Sequence, residues 1–325
     1  MQTEYCCLSY VWGKSRDSQP IILNTQLFNV RGYLHDFLDH ASRSGFTGPM
    51  WIDAVCIDQR NIAERGHQVQ RMGDIYSRAQ EVMIWLGKHI EIRETGEWMR
   101  TPQYCDILKP FPDKVEDQLN AICFHAYWSR AWIAQEILLQ SNVRIVHPEA
   151  HFLWADFGLR VLYLQTWKSV EKSPVLRLME MWLERYERRI ASRMSNSPPS
   201  TWYSEHNQPE TISFWMLLEN PVLALCMDKR DRVYSLLAIT NRPSGSQPFV
   251  VTYEIDTLAL FCRVSNYFDA WSDPRRVNIL SQALCVALGH LKSWFTVNHN
   301  RKSILRTWSP PVLREYRKKV ALRRC

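Results

Sequence analysis

No C-x-x-C pair, no phosphate-cradling glycine loop and no long apolar run occurs anywhere in the 325 residues. The nine cysteines are odd in number and scattered, and no charged-then-apolar leader precedes the first of them. Reduced thiols and an intracellular, cytoplasmic protein are therefore expected, not a disulfide framework. His and Cys show no finger-like ligand spacing, so no metal site is expected. Neither G-x-x-x-x-G-K-S/T nor G-x-G-x-x-G is present, which leaves ordinary nucleotide-loop binding and a resident cofactor without support. The best apolar stretch, 279–288, contains Ser281 and Gln282 and is far short of the ~20 residues of a membrane span, so no span is expected. Repeats and low-complexity tracts are lacking as well.

What is present is a chain that can bury a large core: 46% of its residues are hydrophobic, and its length suits one large or two ordinary domains. The net charge of +7 is local. Residues 301–325 hold nine Lys/Arg against Glu315 alone, a charge of +8, so the other 300 residues sum to −1. This basic tail could touch anionic lipid or nucleic acid, but a solvated terminus is the commoner explanation, and a nucleic-acid partner is not expected.

The first half alternates strand and helix signals. Residues 5–11 are rich in β-formers and end at Trp12-Gly13, a buried first strand with a turn. Val30, Leu34, Phe37, Leu38 and Ala41 recur at helical spacing up to Gly45. Residues 51–57 are apolar on both alternating faces apart from Asp53, which predicts a central parallel strand with one anomalous carboxylate. Such a carboxylate needs partners, so Asp53 either caps a neighbouring loop or faces a site. Asn61 and Glu64 fit a helix cap with a reciprocal carboxylate, ahead of Val69, Met72, Ile75, Tyr76 and Ala79 on one face. Residues 81–86 and 143–146 read as two more strands. Together these predict an α/β fold, a doubly wound, flavodoxin-like parallel sheet with flanking helices over residues 1–147. Its ligands would lie beyond the strand carboxyl ends, near Trp12-Gly13, Asp58-Gln59 and Gly87.

Residues 148–325 change character. Segments 153–167, 175–194 and 212–218 show helical periodicity, 195–209 is a polar, proline-bearing connector, and 230–237 starts charged and continues apolar. A mostly helical C-terminal region is expected.

The leading site candidate is Glu136, four residues after Trp132, a spacing that puts both on one helix face and a carboxylate beside a large aromatic. Burial against an apolar wall would tune its charge. From these residues alone an ordinary ion pair with Arg130 or Arg144 is the favoured explanation, and the tryptophans are more often core than ligand stackers. Cys56 with His67 or His125 could imitate a nucleophile pair, but nothing in the sequence joins them.

Residues 8–13 (Leu-Ser-Tyr-Val-Trp-Gly), 51–59 (Trp-Ile-Asp-Ala-Val-Cys-Ile-Asp-Gln), Glu64-Arg65, Gln68-Val69, Met72, Ile75-Tyr76, Trp85-Leu86-Gly87 and 128–136 (Trp-Ser-Arg-Ala-Trp-Ile-Ala-Gln-Glu) resemble, in this order, the fungal heterokaryon incompatibility (HET) domain. Residues 230–234 (Arg-Asp-Arg-Val-Tyr) are similar to a motif that often follows it. The resemblance implies a fungal cell-death effector in non-self recognition, with a fold related to the TIR domain of innate-immunity proteins. NAD-cleaving TIR domains resemble one another around Ser-x-Trp-Cys-x-x-Glu, where the glutamate is catalytic. Here the Trp132-to-Glu136 interval is kept, while Ser129 lies three before the tryptophan and Ile133 replaces the cysteine.

The resemblance thus implies Glu136 as the residue that stabilises an oxocarbenium-like transition state, with NAD as substrate. Ser9, Trp12, Gly13, Asp53, Arg130 and Trp132 would bind the nucleotide. It also implies self-association, and a sensor or incompatibility protein as partner. The alternative is a non-catalytic death-signalling interaction module.

Overall fold

The computed structural model describes residues 4–13, 17–99, 113–163, 173–194, 213–220 and 225–287. The connector at 195–209 and the basic tail at 301–325 lie outside them, as do the ends of two expected helices, at 164–167 and 212.

Five strands make the main sheet. β1 (Cys6–Tyr10) is buried at all five positions because it is covered on both faces. β4 (Met50–Trp51) flanks it on one side and β5 (Glu81–Trp85) on the other, followed by β6 (Val143–His147) and β7 (Ala150–Leu153). β4, β1, β5 and β6 are parallel. Numbered along the chain without the separate hairpin below, the spatial order is 2-1-3-4-5, the flavodoxin-like arrangement expected. The chain reverses its winding between β1 and β5, the place where such sheets bind ligands beyond the strand ends.

Three sequence readings need correction. Residues 51–57 are not a central strand: β4 pairs for two residues at the sheet edge, and α2 (Asp53–Cys56) follows at once. Local bonds outcompete the ladder there, since the Asp53 carboxylate accepts from the Ala54 amide at 2.7 Å and the Cys56 amide donates to the Ile52 carbonyl at 2.7 Å. Ile52 and Ile57 are both buried, so a helical turn produced the apolar pattern that had suggested a strand. Next, Val30 belongs to a hairpin, β2 (Ser18–Leu23) and β3 (Gln26–Arg31), and the helix α1 begins only at Gly32 (Gly32–Arg43). Asn24 and Thr25 both have positive φ, 49° and 66°, as a tight twisted turn requires, yet neither is the glycine that signals one. Finally, Leu153 closes β7, which returns antiparallel against β6, and the helix α7 starts at Trp154 (Trp154–Tyr163).

The alternation along β1 divides the core. Leu8 and Tyr10 join Val30, Leu34, Phe37, Ile52 and Trp85 on the α1 side. Cys7 faces the opposite side, with Val82, Ile84 and the large cluster that continues through Trp128, Trp154, Trp182 and Phe261. Ser9 follows Cys7 by two and therefore faces that larger side. The helix α3 (Ile62–Arg78) lies over it with Val69, Met72 and Tyr76 buried, and Asn61 caps it by accepting from the Glu64 amide. The Glu64 carboxylate accepts from the Asp58 amide, not from that of Asn61.

α4 (Ile90–Met99), α5 (Asp113–Cys123), α6 (Ile133–Leu138) and α8 (Pro174–Met194) complete the helices around the sheet. Short helices at Phe214–Glu219 and Asp231–Tyr234, then Thr257–Tyr267 and Pro274–Ala283, continue the same hydrophobic cluster. Among the described residues no helix is long and apolar enough to cross a membrane.

Candidate functional site

The carboxyl end of β1 delivers Ser9, and the turn before α6 delivers Tyr127 and Arg130. A 3-10 turn over Ala126–Ser129 sets the approach, with the His125 ring nitrogen accepting from the Tyr127 amide at its start. α6 then opens at Trp132, and Glu136 falls in its first turn. Glu136 is 1% exposed. A carboxylate at that depth must be compensated. Arg130 supplies a two-pronged pair, Nη2 to Oε1 at 2.9 Å and Nη1 to Oε2 at 3.0 Å. The Ser9 hydroxyl also donates to Oε2, and Ser9 shares a 2.5 Å hydrogen bond with the Tyr127 hydroxyl.

Asp53 stands beside this cluster. Its Oδ2 accepts from the Trp12 indole at 2.8 Å, and burial together with the nearby Asp53 charge raises the Tyr10 phenol. Burial pushes the Asp53 carboxyl up to about 6; the Arg130 charge opposes the rise and that of Glu136 adds to it. Burial works against the charge on Arg130, but Glu136, Tyr127 and Asp53 outweigh it and hold the guanidinium above its ordinary range. Burial and the neighbouring Glu136 likewise raise the Tyr127 phenol. One cation thus serves two carboxylates, Glu136 directly and Asp53 through its field.

The expected site residues meet to different degrees. Ser9, Arg130 and Glu136 touch. Trp12 and Asp53 touch each other, and Asp53 feels the charges of Arg130 and Glu136. Gly13 follows at φ 69°, where its carbonyl accepts from Arg31 at 3.0 Å and a Cβ would come within 3.2 Å of the Tyr33 ring. Trp132 turns elsewhere: it packs, half-buried, against the larger hydrophobic cluster on the side of Asp231, and makes no hydrogen bond to the Glu136 carboxylate. Arg144, the other arginine considered for Glu136, pairs with Glu81 at 2.6 Å. Asp58 and Gln59 shape the turn, Asp58 accepting from the Arg60 amide and Gln59 donating to the Asp53 carbonyl.

Tyr127 and Tyr10 were missed in the sequence. Tyr127 lies 118 residues from its partner Ser9, and no local pattern links the two. The Cys-His idea gains nothing: Cys56 Sγ accepts from the Ile52 amide and His125 from that of Tyr127. Among the described residues no group of three or more His, Cys, Asp or Glu could hold a metal ion.

The neighbouring residue on α6, Gln135, faces a different space. A cavity of about 540 Å³ lies between α3 and the C-terminal region, lined by Gln70, Gly73, Gln135, Arg242, Phe249 and Tyr267 among others, and Glu136 is not part of its wall. Glu136 itself is enclosed, with both of its oxygens engaged.

Comparison with known proteins agrees with this architecture. Residues 5–136 match the family model described as heterokaryon incompatibility protein (HET), a stretch that runs from the start of β1 to Glu136 itself. The chain is 35% identical over 159 residues to the Neurospora crassa heterokaryon incompatibility protein 6, OR allele, across 45% of this chain and 21% of that relative. It spans about a fifth of the relative's length. No solved structure matches at a significant level. By motif order, by the sheet that carries it and by this match, residues 5–136 are similar to the HET family.

Proposed function

We propose that this chain is an incompatibility-type effector of cell death in fungal non-self recognition, and that Glu136 is the reacting carboxylate of a site that hydrolyses the nicotinamide–ribose bond of NAD or a related nucleotide. One observation carries the catalytic part: Ser9 and Arg130, 121 residues apart, close on Glu136 at the carboxyl end of a central parallel strand, where ligands of such sheets bind. The HET match and the name of the Neurospora relative support the biological part. The strand order and the Trp132-to-Glu136 interval support a kinship with TIR enzymes.

The chemistry asks little of the protein. Water adds to the ribosyl carbon as the C–N bond breaks, nicotinamide leaves as a neutral base, and a proton is released. The ring nitrogen already carries positive charge in NAD, so no general acid is required, unlike in ordinary glycoside hydrolysis. A fixed carboxylate stabilises the charge that grows on the ribosyl carbon. For that, Arg130 must leave Glu136, and a substrate phosphate is a suitable destination because a guanidinium binds phosphate as it binds carboxylate. A cytoplasmic location, self-association and an incompatibility or sensor partner belong to the same proposal.

Purified, concentrated protein incubated with NAD tests it by chromatography of free nicotinamide. Release that disappears in Glu136→Gln is expected. Absence of release from the unaltered protein at every concentration sinks the hydrolysis.

A second reading, a non-catalytic death-signalling interaction module, is favoured by the 1% exposure of Glu136 and its two-pronged pairing. It expects partner binding or self-association that Glu136→Gln leaves unchanged.

A further inference from the structure

The segment that carries Arg130 is held from outside the HET-like region. Leu225 lies beside Arg130 as a one-residue parallel bridge. Its amide donates to the Ser129 carbonyl at 2.8 Å, and its carbonyl accepts from the Ala131 amide at 2.9 Å. Arg130 thus sits between two backbone anchors. Just beyond, Asp231 accepts from the Tyr253 hydroxyl at 2.5 Å and lies beside Trp132. Asp228 is gripped by Arg230 at 2.7 and 2.9 Å and reached by Arg65 of α3 at 3.2 Å. The Arg65 guanidinium stacks 3.6 Å from the centre of the Tyr253 ring. On the same helix Gly73 lets the C-terminal region approach so closely that a Cβ would come within 2.5 Å of the Ala238 Cβ.

The Leu225 ties fall on Ser129 and Ala131, on either side of Arg130, while Arg65 and Gly73 join the same C-terminal region to α3. Arg130 is the guanidinium that occupies both oxygens of Glu136.

We infer that the C-terminal segment Leu225–Asp231 is an autoinhibitory clasp: by fixing the backbone on both sides of Arg130 it keeps the guanidinium on Glu136, and its release frees Arg130 and uncovers the carboxylate. The mechanical part stands on the geometry alone. The consequence for turnover rests on the reading of Glu136 as the reacting group.

The Leu225 side chain is 57% exposed, so its backbone can be tested separately. Leu225→Pro deletes the N–H that donates to Ser129, and Leu225→Ala keeps it. Hydrogen exchange on the full chain is expected to run roughly tenfold faster across 131–136 in Leu225→Pro than in Leu225→Ala, with β1 and β5 unchanged. Equal exchange in the two variants overturns the clasp. If Leu225→Pro loses protection in β1 and β5 as well, Asp231→Ala decides by the same measurement: faster exchange confined to 129–136 supports the clasp, and none overturns it. NAD is the probe for the second half. Faster nicotinamide release in Leu225→Pro, lost when Glu136→Gln is added, supports the clasp acting on catalysis. Local opening with no release leaves the clasp standing and sinks hydrolysis at Glu136.

Discussion

Two arginine–carboxylate systems lie at the end of the HET-like region and beyond it, and they differ in depth. Arg130–Glu136 is enclosed, with side-chain exposures of 16% and 1%. Arg230–Asp228, with Arg65 as a second cation, stands about a fifth exposed, at 19% and 20% for the pair. The chemistry is the same and the surroundings are not. Water screens the outer pair and replaces a lost partner at small cost. In the inner pair each buried charge offsets the other's loss of hydration, so the ions constrain geometry more than they stabilise the fold. The inner pair is consequently a device that can be opened by moving one residue, and the outer one is part of what prevents that movement.

The comparison breaks most clearly at Arg130. Arg130→Met strands a carboxylate at 1% exposure and should cost about 3–5 kcal/mol in denaturant unfolding. Adding Glu136→Met should recover much of that loss, since two apolar side chains replace an ion pair. If the double variant is no better than the single one, Glu136 is compensated by other groups and the pair is not the unit described above.

Gly73→Ala tests the contact between α3 and the C-terminal region. The new methyl would sit 2.5 Å from the Ala238 Cβ, and overpacking of this kind should lower stability by about 1–3 kcal/mol, read from the thermal midpoint.

The two systems also predict opposite pH responses. Asp53, beside the inner pair, is raised from 3.8 to about 6, so the folded state binds its proton more tightly than the unfolded chain does. Its penalty is absent below about pH 3.8 and complete above about 6, and the wild type should lose about 3 kcal/mol against Asp53→Asn as pH rises through that window. For Asp228 burial raises the carboxyl, but its bonds to Arg230 and the charges of Arg230 and Arg65 win and lower it. That stability is present above the unfolded value of 3.8 and is lost as pH falls through the folded one. Unfolding curves of Asp53→Asn and Asp228→Asn between pH 3 and 7 should therefore diverge from wild type in opposite directions. Parallel curves would remove the distinction between the two regions.

The smallest effect is expected at Arg65→Met. Its partner Asp228 keeps Arg230, and its own exposure is 25%, so the change should be under about 1 kcal/mol and shrink further in high salt.

Much of this architecture could be read from periodicity. The β1 and β5 strands, α3 with its Asn61 cap, and α8 follow from short-range patterns that tertiary packing did not override. Errors arose where a local interaction mimicked another pattern. The segment at 51–57 looked like a strand because Ile52 and Ile57 are buried on both sides of a helical turn. The β2–β3 hairpin was hidden because Asn24-Thr25 takes positive φ without glycine. At the site, Ser9, Arg130 and Glu136 were each singled out as residue types. Their meeting was not visible, because Ser9 is 127 residues from Glu136. Tyr127 left no signal for the same reason, and the Trp132–Glu136 spacing paired Glu136 with an aromatic that is not among its hydrogen-bond partners.

By itself the sequence determined the class of fold and the family likeness: the hydrophobic periods and the order of short motifs are properties of neighbouring residues and survive without a structure. Only the tertiary structure decided what surrounds Glu136. A buried charge is defined by which distant groups share its low-dielectric space. Here these are a serine from a strand, a tyrosine and an arginine from a turn, and a C-terminal segment that holds the arginine in place.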